Sequence, residues 1–139
     1  MTAIDTDSGP ALAESLLHGV GNENWQAATR LLGAHRDGYW LRRFLDMATI
    51  PIWDTPPIID RSGTHPCIAW NSLGGRLNMS GGDWPKASSS EIAVLQVAAS
   101  LMGEWQVDLR RVIYALDDDE LRLVLRAIAE VGNVSISTA

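Results

Sequence analysis

The sequence predicts a mainly α domain (α+β class) with a small β-hairpin, built around a C-terminal three-helix core. Two capping signals, Ser88-Ser89-Ser90-Glu91 and Asp117 with Glu120 three positions on, open apolar runs of helical period. Gly103 and Gly132 stand where two of those runs stop. Between residues 50 and 87 the helical period gives way to Pro, Gly and Trp, with only short alternating stretches.

Residues 1–9 are dominated by Asp, Thr, Ser and Gly without a period, which reads as a flexible N-terminal tail before a single domain over 10–139. Pro10 sits where a helix can begin, Ala11–His18 is helical by composition, and Gly19-Val20-Gly21 breaks it. Asn22 or Asn24 then caps a helix to about Leu32, with Trp25, Ala28 and Leu32 on its inner face. Both helices are short, which casts them as a cover for the C-terminal bundle. After Asp37, Trp40, Leu41, Phe44, Leu45 and Ala48 share one helical face, and Arg36, Tyr39, Arg42, Arg43 and Asp46 share the other.

In the irregular middle, Pro51, Pro56 and Pro57 favour extended backbone. Cys67–Trp70 and Arg76–Met79 are the expected hairpin strands, joined by a loop whose Gly74 and Gly75 permit positive φ. The alternation of Val134–Ser137 suggests a third strand. The core helices are expected over about 89–102, 108–116 and 118–131. In the first, Ile92, Val94, Leu95, Ala98, Ala99, Leu101 and Met102 leave little polar face, so the helix is covered on most sides. The second carries Leu109, Val112, Ile113 and Leu116, and the third a stripe of Leu121, Val124, Leu125, Ile128 and Val131.

Length suits one domain, large enough to bury its core without covalent staples. A lone Cys67 excludes an internal disulfide, and no CxxC or zinc-spaced cluster is present; a reducing cytoplasm fits best. Neither an export leader nor a membrane-length apolar run appears, so no membrane association is expected. The net charge of −6 divides into −3 over residues 1–34, +1 over 35–87 and −4 over 88–139. That field opposes polyanions, so nucleic acid is not the expected partner.

Candidate chemistry is sparse. His65 and Cys67, two apart on a strand, point to one side as a nucleophile and base would, but no third group or oxyanion hole can be placed. His35, His65 and Cys67 with Asp54, Asp60 or Asp83 lack the spacing of a metal motif, so neither metal nor cofactor is expected. The Asp117–Glu120 run reads as helix-terminus carboxylates rather than a calcium loop. The Gly74–Lys86 loop leads to a capped helix as an anion-binding loop would, yet matches no phosphate motif. Six of nine aromatics are Trp, and Trp40, Trp53, Trp70 and Trp84 fall in the nearly neutral middle, a composition suited to an interface as well as to a core.

The Tyr39–Phe44 segment (YWLRRF), Ile68-Ala69-Trp70, the Ser88–Glu91 box and the run from Val107-Asp108-Leu109 to Leu116-Asp117-Asp118 resemble short uncharacterised actinobacterial proteins, chromosomal, plasmid or phage-borne. The resemblance spans about residues 38–131 and implies no particular activity. The expected function is a non-enzymatic protein-interaction or regulatory module. Its partner is another protein, a second copy of the chain included, contacting Trp53, Trp70, Arg76, Asp83 and Trp84. The alternatives are a nucleic-acid-associated regulator using Arg36, Tyr39, Arg42 and Arg43, and an enzyme using His65 and Cys67.

Overall fold

Small residues around one helix organise the chain. In the computed structural model, which describes residues 7–47 and 57–135, α2 (Glu23–Ala34) buries Ala27, Ala28, Thr29, Leu31, Leu32 and Gly33. It packs against α1 (Gly9–Ser15), α5 (Ser89–Leu101) and α7 (Asp118–Val131). The short side chains of α2 let three neighbours approach it closely, so the helix expected to cover the bundle lies at its centre. Of the two candidate caps, Asn22 is used, accepting from the Trp25 amide at 2.9 Å. The Asn24 side chain instead donates to the Leu101 carbonyl at the end of α5.

Ser8 caps α1, and Pro10 occupies its first turn. The crossing of α1 over α2 rests on Gly9 and Gly33. A Cβ on Gly33 would lie 2.8 Å from the Gly9 carbonyl oxygen, and one on Gly9 would strike the Gly33 carbonyl. A 3₁₀ turn (His35–Asp37) then leads to α3 (Tyr39–Met47), which buries Trp40, Leu41, Phe44 and Leu45 as its wheel requires. Ala48 and the Pro51 and Pro56 positions lie outside the described residues.

The hairpin keeps its first expected strand, at Cys67–Ile68, but the partner strand precedes it in sequence. β1 (Ile59–Asp60) pairs antiparallel with β2 (Cys67–Ile68), with Ile59 opposite Ile68. Arg76–Met79 is not a strand: Trp70–Met79 forms α4. Its buried residues Trp70, Leu73, Gly74 and Leu77 follow i, i+3, i+4, i+7, a helical stripe that outweighs the two glycines. Gly74 serves close packing rather than a turn, since a Cβ there would lie 2.6 Å from the Glu104 Cβ. Val134 and Ser135 are not in a strand, and the rest of the suggested third strand lies outside the described residues.

The C-terminal helices fall where the caps place them: α5, α6 (Leu109–Ala115) and α7. Both capping boxes form, Ser88 with Glu91 and Asp117 with Glu120. α5 is buried almost all round. The stripe on α7 is rotated from expectation: Glu120, Val124 and Ala127 face inward, while Leu125 and Ile128 are exposed. The rotation follows from α7's two anchors on α2 and the turn after it. Glu120 meets His35 at one end, and Glu130 meets Arg30 at 2.7 Å near the other. Among the described residues, no helix is long and apolar enough to cross a membrane.

Gly33→Ala is expected to lower the unfolding free energy by about 1–3 kcal/mol through overpacking at the α1 crossing. Gly75→Ala, on the open face of α4 where an added Cβ meets nothing within 4 Å, is expected to raise it by roughly 0.5–1 kcal/mol. Urea midpoints at constant m-value would measure both.

Candidate functional site

The chain's most polar buried cluster forms where α2 turns into α3. Arg36, Asp37 and Gly38 take φ values of 46°, 54° and 80°, three consecutive left-handed residues. For the two that carry a Cβ this is strained backbone, and it directs His35 and Arg36 toward the N-termini of α5 and α7. His35 Nε2 lies 2.7 Å from Glu120 Oε2, with the two residues 1% and 4% exposed. Arg36 bridges both carboxylates, at 2.5 Å from Glu91 Oε2 and 3.5 Å from Glu120 Oε2, and donates to the Ser90 hydroxyl. The other oxygens, Glu91 Oε1 and Glu120 Oε1, accept from the Ser88 and Asp117 amides of their own caps. His35 Nδ1 is buried without a protein partner, which assigns the ring proton to Nε2 and makes it the donor to Glu120. His35 and Glu120 are buried while Arg36 closes the cluster at the surface, 44% exposed, and its contacts join three helices. Neither the His35–Glu120 pairing nor the role of Glu91 beyond its cap was expected.

Trp40, Trp70 and Trp84 lie in the core, not on a binding platform. Trp70 and Trp84 are 4% and 2% exposed. Trp84 sits edge-on to Trp40 at 5.5 Å and against Phe44 at 5.8 Å. The Trp40 indole donates to the Glu91 carbonyl at 2.8 Å. Expected partner residues Arg76, Asp83 and Trp84 do come together: the Arg76 guanidinium lies 4.6 Å over the Trp84 ring, and Asp83 Oδ1 accepts from the Trp84 amide. That contact folds the loop after α4 onto the core. Trp70 lies in α4, and Trp53 falls outside the described residues.

The basic face of α3 is likewise turned to the protein. Arg43 donates to the Pro85 and Lys86 carbonyls and to the Tyr39 hydroxyl, and stacks 5.4 Å from the Trp40 ring. Arg42 donates to the Asp7 and Asp37 carbonyls, and Arg36 is held by Glu91 and Glu120. Burial, then the nearby charge of Arg43, pull the Arg76 guanidinium below its ordinary range.

The other candidates do not assemble. His65 packs on His18, with ring centroids 3.8 Å apart, whereas His35 is buried beside Glu120. Among the described residues no group of three or more His, Cys, Asp or Glu is placed to hold a metal, and Asp54 lies outside them. Burial, and secondarily the Asp60 carboxylate, push the Cys67 thiol above its ordinary value, the reverse of an activated nucleophile. In the Gly74–Lys86 segment the α5 capping box already uses the Glu91 amide, and Asp83 places a carboxylate where an anion would need a cation.

Accessible apolar surface and grooves occur at the end of α4 and on the C-terminal helices. A groove of about 520 Å³ runs between α5 and α6, lined by Asp83, Gln96, Arg111, Val112 and Tyr114 among others. Among the described residues, large apolar side chains are exposed at Met79 (81%) on α4, at Leu109 (59%), Ile113 (46%) and Tyr114 (77%) on α6, at Leu125 (47%) and Ile128 (46%) on α7, and at Val134 (60%). Comparison with protein-family models, with curated proteins and with solved structures finds no match to the chain.

Glu120→Ala is expected to cost about 2–4 kcal/mol, because it orphans the buried His35 Nε2–H and one cap amide together. Burial raises the Glu91 carboxyl, but the Ser88 amide and the Arg36 guanidinium outweigh it and hold the group below its ordinary range. Its contribution is therefore complete above the unfolded value, roughly 4.3, and is lost as pH falls through the lower folded value. Acid titration of the unfolding free energy should fall less steeply in Glu91→Gln. Cys67 should alkylate near neutral pH more slowly than an unstructured cysteine.

Proposed function

We propose that this chain is a non-enzymatic protein-interaction module whose partner docks on the outer faces of α6 and α7. The observation that carries this reading is the pair of unpartnered apolar stripes, Leu109 and Ile113 on α6 and Leu125 and Ile128 on α7. Both repeat at three or four residues, the spacing by which an amphipathic helix presents anchors to another surface. Single exposed leucines are ordinary; several on two consecutive helices are the pattern of a recognition face. A cytoplasmic setting accords with the unpaired thiol, and an origin among mobile or phage-borne genes with the resemblance noted above.

The alternative of a nucleic-acid regulator gripping with Arg36, Tyr39, Arg42 and Arg43 has less support, since those arginines hold carboxylates and backbone carbonyls of their own chain. An enzyme built on His65 and Cys67 is opposed by the raised thiol.

A photo-crosslinking residue placed at Ile113 or Leu125 in cells is expected to give discrete adducts, whereas one at exposed Gly63 is not. Adducts absent from both α6 and α7 positions would end this reading.

A further inference from the structure

We infer that the occupant of this face is a second copy of the chain, in a two-fold dimer that packs α6 and α7 of one protomer on α6 and α7 of the other. The inference rests on the interaction-module reading and names its partner. Two properties of the surface select self-association.

The first is charge. A two-fold interface places the same patch on both sides, so the patch must carry its own complement. The chain has a net charge of −6, which opposes random encounter of two copies. Yet between residues 108 and 126 four arginines stand against four aspartates once Glu120, held by His35, is set aside. The arginines include every cation after residue 88. Arg110 and Arg111 lie on α6 behind its cap Asp108, whereas α7 opens on Asp117, Asp118 and Asp119 and carries Arg122, paired with Asp119, and Arg126 further along. Among the described residues Arg111, Arg126 and Asp118 make no ion pair, and Arg110 only covers the Tyr114 ring at 5.6 Å. Crossing the two helix pairs sets each protomer's α6 arginines against the other's α7 aspartates. That gives the rim a complementary pairing that a uniformly acidic or basic partner would not match.

The second is area. Leu109, Ile113 and Tyr114 on α6 and Leu125 and Ile128 on α7 are large apolar or aromatic side chains left exposed. Together they present on the order of 500 Å², against the roughly 800 Å² per partner of a standard stable interface. With the charged rim added, the face has the size and the apolar-centre, polar-rim composition of a dimer contact.

Sedimentation of the full chain over a micromolar concentration range should show a monomer–dimer equilibrium. Ile113→Asp and Leu125→Asp, both on exposed positions, should weaken it at least about tenfold while far-UV circular dichroism and melting temperature stay near wild type. Arg110→Glu/Arg111→Glu and Asp118→Lys/Asp119→Lys should each dimerise poorly alone and recover when mixed. A wild type that stays monomeric, or a dimer indifferent to all four variants, overturns the proposal. If the wild type is monomeric but crosslinks at Ile113 yield adducts with a different protein, self-association fails and the interaction-module reading stands.

Discussion

Two glutamates, each with one oxygen on its own helix cap and the other on a common His-Arg corner, fix how this chain folds. A capping box ordinarily stabilises one helix and carries no information about any other. Here the spare oxygens of Glu91 and Glu120 are both taken by Arg36, and that of Glu120 also by His35. The starts of α5 and α7 are thus pinned to the end of α2. The left-handed backbone at Arg36 and Asp37 is the local cost of aiming one guanidinium at two carboxylates, and the charge-assisted bonds it makes offset that strain.

From this constraint follows the rotation of α7. With Glu120 facing His35 and Glu130 facing Arg30, the inward arc of the helix is centred on Val124 and Ala127. Leu125 and Ile128 then lie outside that arc, a turn of the wheel that apolar content alone would not choose. The Glu120–His35 contact outranks hydrophobic periodicity further along the helix because an unpaired buried carboxylate costs more than a half-exposed leucine, while the largely exposed Arg30–Glu130 pair adds little. The exposed stripe is thereby a consequence of the buried lock, set by residues that lie on the opposite side of the helix.

Much of the fold was legible because it is written in local rules. The Ser88 and Asp117 caps, the Asn22 cap and the α3 wheel each depend on residues within one or two turns, so they are read correctly from neighbours in sequence. What was illegible depends on partners far apart. His35 and Glu120 are separated by 85 positions, and nothing in either segment announces the other. Helix α4 is also written locally, in the 70, 73, 74, 77 stripe; Gly74-Gly75 suggests a turn, but Gly74 is needed for contact with Glu104. The excess of Trp in a nearly neutral middle suits an interface as well as a core, and for Trp40, Trp70 and Trp84 the core is the outcome: Arg43 and Arg76 are spent on stacking over Trp40 and Trp84.

The division of labour between the two halves follows from those stacks. Arg43 and Arg76 place delocalised cations on indole faces and, in the case of Arg43, bind the carbonyls of Pro85 and Lys86, so the loop leading into α5 is clamped before α5 begins. A clamped loop holds Ser88 and Glu91 in register for the Arg36 corner. Through that corner the middle segment and α7 are mechanically continuous, although they share few direct contacts. The outer arcs of α6 and α7 stand apart from this chain of contacts: Val112 alone is buried on α6, and Leu109, Ile113, Leu125 and Ile128 contribute little to the core. Substitutions there are expected to have small effect on whether the chain folds. In a chain whose buried tryptophans, histidine and glutamates are fixed by folding, that outer face is where a binding function has room to reside.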